Sequence, residues 1–159
     1  MQAVLPPEIR NDAGFESTRL RQFTIFLENK VGRLQTLVTQ LEQNAGRIAG
    51  ISIEESGDAA LVRVICHHPG LARDALSAGG FSFSESELLA VELPPRTQHP
   101  LIALCAALLT AEINLHYAYP LLTRPHKSPV LAVYVDDPTL AARLLIKKGF
   151  GLVGESDLK

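Results

Sequence analysis

The chain switches between two hydrophobic periods. Phe23, Ile25 and Leu27 are apolar at every second position, the period of a half-buried strand. Leu34, Leu37, Val38 and Leu41 then stand at i, i+3, i+4 and i+7, which lays one apolar stripe along a helix. These patterns predict a strand over 21–27 and a helix over 31–44, stopped by Ala45-Gly46 with glycine at the C-terminal end. Ile51 and Ile53 alternate with Ser52 and Glu54 in a second strand, 48–55. Ser56-Gly57-Asp58 signals a hairpin, and the β-branched run Ala59–Cys66 a third strand. Pro69 suits the first position of a second helix, whose inward side is Leu71, Ala72, Ala75 and Leu76. Gly79-Gly80 ends it, and 81–84 begins a fourth strand. The order is β-α-β-β-α-β.

The same order then recurs. Leu101, Leu104, Cys105 and Leu108 repeat the first stripe, which assigns Cys105 a packed position. Val130–Val135 repeats 61–66. Pro138, Leu140, Ala141, Leu144 and Leu145 repeat the second helix, and Gly149-Phe150 repeats Gly80-Phe81. Two helices, a strand and a Gly-Phe turn in one order indicate a duplication of about 70 residues. The expected fold is α+β: two tandem ferredoxin-like βαββαβ units, antiparallel sheets with helices on one face. The divisions are an N-terminal arm over 1–19, a first domain over 20–87 and a second over 88–159. No linker separates them, so the sheets are expected side by side or face to face. A unit of this size is marginal alone, and burial between copies or in a homodimer is expected.

Composition narrows the function. With 15 Lys and Arg against 17 Asp and Glu, the net charge is −2 and there is no basic footprint for nucleic acid. Residues 62–65 carry β-branched side chains and Arg63 where RNA-binding sheets of this order carry aromatics. The longest apolar run, 101–109, is too short to span a bilayer, and no basic-then-apolar leader opens the chain. Two cysteines in apolar runs suit buried, reduced thiols, and a cytoplasmic location is expected. Phosphate-cradling, dinucleotide and nucleophile-elbow motifs are absent, and Glu85 and Glu87 read as a solvated strand pair; no catalytic residue is assigned. Cys66-His67-His68 precedes Pro69 as Asp136-Asp137 precedes Pro138, so the pair reads as a turn before a helix. No metal ligand or cofactor is assigned.

The stretch FTIFLENKVGRLQTLVTQLEQNAG, with LLAVELP, INLHYAY and VYVDDPTLAARLLIKKGF, resembles the ACT domain, a small-molecule-sensing βαββαβ module, in two tandem copies over residues 20–158. The resemblance implies a non-catalytic regulatory protein that binds an amino acid or similar metabolite between ACT units. The alternative is a ligand-independent partner subunit that dimerises and binds a catalytic protein. It also implies ligand positions: the glycine turn maps to Asn29, Lys30, Val31, Gly32, Arg33 and Leu34, and the second-strand motif to Ile113, Asn114 and Leu115. Val31 stands where the family has proline. The second copy has no glycine in its turn, reading Arg96-Thr97-Gln98-His99-Pro100, and the first copy lacks the strand asparagine. The copies are therefore expected to have specialised into hybrid sites. The amides around 31–34, at the positive end of a helix, suit a carboxylate. Asn29 and Asn114 could accept from an ammonium or serve only the turn and loop that hold them. Arg33 could assist or be solvated. Val31, Leu34 and Ile113 are expected to line the space for a small apolar side chain.

Overall fold

The computed structural model describes residues 18–28 and 30–158. Of the expected arm, residues 1–17 lie outside these, and Arg19 already belongs to the first strand. The elements are β1 (Arg19–Glu28), α1 (Arg33–Ala45), β2 (Ile48–Ser56), β3 (Ala59–Cys66), α2 (Pro69–Ala78) and β4 (Ser82–Glu92). There follow α3 (Pro100–Thr110), β5 (Leu115–Pro120), β6 (Val130–Val135), α4 (Pro138–Lys147), β7 (Gly151–Val153) and a 3-10 turn, Glu155–Leu158. The fold is α+β, with the βαββαβ order duplicated. The strand β4 ends the first unit and begins the second.

That sharing makes one antiparallel sheet of seven strands, ordered β2-β3-β1-β4-β6-β5, with β7 on β4. One edge of β4 pairs with β1 over Ser82–Leu89 and then with β7 over Ala90–Glu92; the other edge takes β6 over Leu89–Glu92. Residues 87 and 88, where the two domains were expected to meet, are consecutive within β4.

Side chains alternate across this sheet and define its two faces. Phe23, Ile25 and Leu27 of β1 point towards α1 and α2, with Leu37, Leu41, Val62, Val64, Ala72 and Leu76. Leu89, Val91, Val133 and Val135 point towards α3 and α4 in the second unit. All four helices thus cover one face. The helix-free face is buried as well. The sheet curls until its two ends meet: Gly50 of β2 bridges Leu121, and the Leu122 amide donates to the Ala49 carbonyl at 2.7 Å. Leu20, Ala49, Ile65, Leu88, Ala90, Tyr119, Ala132 and Val153 fill the enclosed core. Of the two expected arrangements, the units lie side by side in one sheet, and its curl turns their helix-free faces towards each other. Gly50 lets the ends approach closely: an added Cβ would meet a Leu121 methyl group at 2.8 Å and force that side chain to shift.

One polar residue sits in this inner region. Gln22 is fully buried; its Nε2 donates to Tyr117 Oη at 2.7 Å and Ser86 Oγ at 3.1 Å, and its Oε1 accepts from Tyr119 Oη at 2.6 Å. Tyr117 stacks on Tyr134, and the Arg63 guanidinium lies 3.9 Å from the Tyr117 ring centroid. The amide therefore ties the first unit's β1 to the second unit's β5.

The helix stripes match expectation in their centres and depart at their starts. Leu34, Leu71, Leu101 and Leu140, all in first turns, are 37–53% exposed because they overhang the sheet. Cys105 is exposed rather than packed. Successive helical residues point about 100° apart, and α3 rests on Leu104, Ala107 and Leu108, which turns Cys105 away from the sheet. Cys66 is buried as expected. Asp137 caps α4 by accepting from the Leu140 amide at 3.0 Å.

The C-terminal turn is held by charge. Arg21 Nε donates to Glu155 Oε1 at 3.0 Å. His126, between β5 and β6, bonds Glu92 through Nδ1 and lies 3.4 Å from Asp157 Oδ1 through Nε2. The hydrogen bond to Glu92, then the Glu92 charge and the weaker pull of Asp157, raise the His126 pKa above its ordinary 6.5. A base raised on folding stabilises fully below its unfolded pKa and loses that contribution as pH rises through the folded value. The melting temperature of the wild type, relative to His126→Gln, is therefore expected to fall as pH rises from about 6 through neutrality. Thermal melts at stepped pH check this, and a pH-independent difference contradicts it.

Candidate binding site

The turn after β1 is built around a left-handed glycine. Gly32 has φ 88°, a region L side chains rarely adopt, and it caps α1 with no side-chain hydrogen bond. Its carbonyl receives the Thr36 amide at 3.0 Å and the Thr36 hydroxyl at 2.9 Å. The Arg33 amide bonds back to the Lys30 carbonyl at 3.2 Å. No residue in the first turn is acidic. The positive end of α1 thus keeps first-turn amides with neither a cap nor an anion of its own.

Beside this turn lies a pocket of about 260 Å³, lined by Leu27, Glu28, Lys30, Arg33, Leu34, Ile53, Glu55, Ala60 and Val62. Leu27, Leu34, Ile53, Ala60 and Val62 make an apolar floor, and four charged side chains make its rim. Lys30 Nζ is 2.8 Å from Glu28 Oε2. That hydrogen bond, then the Lys30 charge and a smaller share from Arg33, hold the Glu28 carboxyl below the usual carboxylate range. The Arg33 guanidinium also lies 5.1 Å from the Phe81 ring centroid, which fixes its direction. Pockets for drug-sized ligands run to roughly 300–1,000 Å³, so this one suits a smaller molecule.

The expected site residues divide. Lys30, Arg33 and Leu34 line the pocket, and Gly32, in the same turn, does not. Val31 does not line it and is fully exposed. Asn29 lies outside the described residues. The second-strand group is elsewhere: Ile113 is buried in the second unit's helix-side core, and none of Ile113, Asn114 and Leu115 lines the pocket. The Asn114 backbone exchanges two hydrogen bonds with Asp136, both 3.3 Å, which hold the loop before β5. Within one chain the glycine turn and Asn114 are not brought together. Sequence reading missed Glu28, Ile53 and Glu55. The alternation that turns Ile51 towards α1 also turns Ile53 and Glu55 to that side, beyond where the helix covers them.

A larger cleft, about 630 Å³ and open to solvent, runs between the start of α2 and the C-terminal turn, lined by Arg21, His67, His68, Arg73, Asp74, Glu155 and others. Its arginines are already paired, Arg73 with Glu85 at 2.9 Å and Arg21 with Glu155. Its apolar lining is Pro69 and Leu71, against five apolar residues in the turn pocket. Among the described residues, no three His, Cys, Asp or Glu side chains gather to hold a metal ion, and no helix is long and apolar enough to cross a membrane.

Comparison with known proteins agrees with this architecture. The model of the ACT domain pair matches residues 18–159. No curated protein matches the sequence. Protein BT0572 from Bacteroides thetaiotaomicron superposes with a TM-score of 0.78 at 23% identity, over 89% of this chain and 96% of that one. The regulatory subunit of aspartate kinase from Thermus thermophilus, in its ligand-free form, has a TM-score of 0.56 at 10% identity, over 82% and 93% of the two chains. These likenesses are of fold. The family match covers both units and the strand they share, and the chain belongs to the ACT domain pair family, whose members are regulatory and non-catalytic modules.

Proposed function

We propose that the chain senses a free amino acid or a closely similar metabolite at the turn pocket of its first unit. The observation that carries the reading is the pairing of opposite charges around one apolar floor. An amino acid presents a carboxylate, an ammonium and a side chain. Lys30, Arg33 and the α1 amides suit the carboxylate. Glu28 and Glu55 suit the ammonium, and Leu34, Ile53 and Val62 suit a small apolar side chain. The proline that opens α3 has no amide hydrogen to offer at the equivalent place in the second unit. Asn114 and Leu115, exposed at the start of β5, would join such a site only across a second chain.

The alternative is a ligand-independent subunit that binds a catalytic protein. It is supported by the shared fold of the Thermus thermophilus regulatory subunit of aspartate kinase. A thermal-shift panel of the twenty amino acids separates the two readings. A ligand at 100 times its Kd stabilises the folded state by about 2.7 kcal/mol. One chemical class of amino acid is expected to raise the melting point, and Ile53→Glu is expected to abolish the rise. Ile53 is 53% exposed, so that variant should melt near the wild type without ligand. A panel with no shift at millimolar concentration rejects the sensor reading.

A further inference from the structure

The 3-10 turn Glu155–Leu158 serves two spaces at once. Leu158, 2% exposed, enters the enclosed core with Leu20, Val130 and Val153. Glu155 and Ser156 of the same turn wall the open cleft. Two anchors hold the turn. Arg21 grips Glu155 through its Nε, its Nη2 and its backbone amide. A guanidinium–carboxylate pair is of a type that does not titrate near neutrality. The second anchor, His126 against Asp157, contains a group that does.

His126 is held in place by its own loop. Pro125 precedes it, Lys127 follows with a left-handed φ of 68°, and the Lys127 amide bonds to the Arg124 carbonyl at 3.0 Å. A side chain keeps that backbone conformation only where the surroundings fix it. The loop's end is pinned to the chain after β4, where the Leu93 amide donates to the Pro129 carbonyl at 2.9 Å. The ring therefore stands between carboxylates of two different elements. Its Nδ1 bonds Glu92 of β4, and its Nε2 faces Asp157 Oδ1 at 3.4 Å. Gly151, opposite Glu92 in the ladder, leaves the Glu92 carboxylate its place, since an added Cβ would meet Oε2 at 2.7 Å. Asp157 folds the turn in its own right: it accepts from the Gly154 amide at 2.8 Å, and its amide donates to the Gly154 carbonyl at 3.0 Å. Among the described residues, Glu92 and Asp157 are the charged groups that act on the ring. The strand β7 carries no titratable side chain, and Arg124 and Lys127 flank His126 on its own loop.

Both ring nitrogens donate only in the imidazolium. A neutral ring donates through one and turns a lone pair to the other carboxylate. The contact with Glu92 is the hydrogen-bonded one, so Asp157 is the partner that a neutral ring gives up. We propose that His126 is a pH-operated clasp on the C-terminal turn: its imidazolium holds Asp157 towards β4 and keeps Leu158 in the enclosed core, and loss of the ring proton lets residues 156–158 swing out about the Arg21–Glu155 anchor. Release withdraws Leu158 from the core and moves Ser156 in the cleft wall, so the shape of the cleft follows pH. This inference does not depend on the amino-acid reading of the turn pocket.

Amide hydrogen exchange of the full chain tests it, followed by nuclear magnetic resonance at about pH 6 and about pH 8.5 and corrected for the intrinsic rate at each pH. Protection of the Gly154 and Asp157 amides is expected to fall about fivefold or more between the two, while Ile25 in the central strand keeps its protection. His126→Gln is expected to show the lower protection at both pH values. The His126 midpoint, read from its ring resonances, is expected above the ordinary 6.5 and to drop in Glu92→Gln. Protection at Gly154 and Asp157 that stays constant through the His126 titration overturns the proposal, as does an equal fall in His126→Gln. A fall that Ile25 shares also overturns it, because the opening would then be global.

Discussion

Phe23→Ala is expected to cost about 3–5 kcal/mol of folding stability, the range for truncating a buried aromatic side chain. Phe23 is fully buried on the central strand β1, which pairs with β3 through Val64 and with β4 through Glu85. Its ring meets Phe83 edge-on with centroids 6.0 Å apart, and it packs among the Leu37, Leu41 and Leu76 side chains of α1 and α2. A cavity there is walled by two strands and two helices, none of which can close it without breaking sheet pairing. For a protein of this size the melting point should fall by roughly 10 °C. Phe26→Ala is the control. It lies on the same strand with the opposite parity and is 52% exposed, so its loss should be under about 1 kcal/mol. Urea unfolding of both variants checks the difference, and equal losses would contradict the assignment of faces.

The second large effect is expected at Gln22. Gln22→Leu keeps the volume but leaves the Tyr119 hydroxyl, and the Tyr117 hydroxyl beside it, without the amide that satisfies them. Tyr119 is 5% exposed, and burial, with Tyr117 adding to it, pushes its phenol pKa well above the usual value. Each buried group left unpaired costs about 1–3 kcal/mol. The expected loss for Gln22→Leu is therefore about 2–4 kcal/mol. Tyr119→Phe should recover part of it in the double variant, since it removes the orphaned hydroxyl. A double-mutant cycle in urea measures this coupling, expected at about 1 kcal/mol or more. Strict additivity would mean that Gln22 does not bind the two units through this network.

These two positions mark what the sequence could and could not disclose. Phe23 was legible because alternation with Ile25 and Leu27 assigns it a face, and the α1 stripe supplies a surface to meet it. Gln22 was not, because a lone polar residue on a strand looks the same whether water or a second sheet covers it. The curl did leave a trace. In Leu88-Leu89-Ala90-Val91 alternation disappears, as it does where a strand is buried on both faces. That run is where β4 passes between the two units.

Helix periodicity was similarly informative about centres and silent about ends. It assigned Leu37, Leu41, Leu104 and Leu108 correctly, but whether a first-turn leucine overhangs depends on where the sheet stops. Cys105 was misassigned because Ala107, not Cys105, completes the buried arc. The candidate site divided along the same line. Gly32 marked the turn by residue type, and Lys30, Arg33 and Leu34 follow it locally, while the left-handed backbone at Gly32 emerges only in the fold. Whether Asn114 reaches that turn is a matter of long-range geometry, and in one chain it does not.

Occupation of the pocket beside the Gly32 turn by a free amino acid, as proposed, can be read residue by residue in solution. The most direct measurement is a ¹⁵N–¹H nuclear magnetic resonance titration of the full chain with each amino acid at millimolar concentration. Saturable shifts are expected, from one chemical class of amino acid, at the Leu34 and Gln35 amides of α1 and at Ile53 and Glu55 of β2. Spectra unchanged by all twenty, or shifts confined to residues 67–73 and 155–156 around the open cleft, would contradict it.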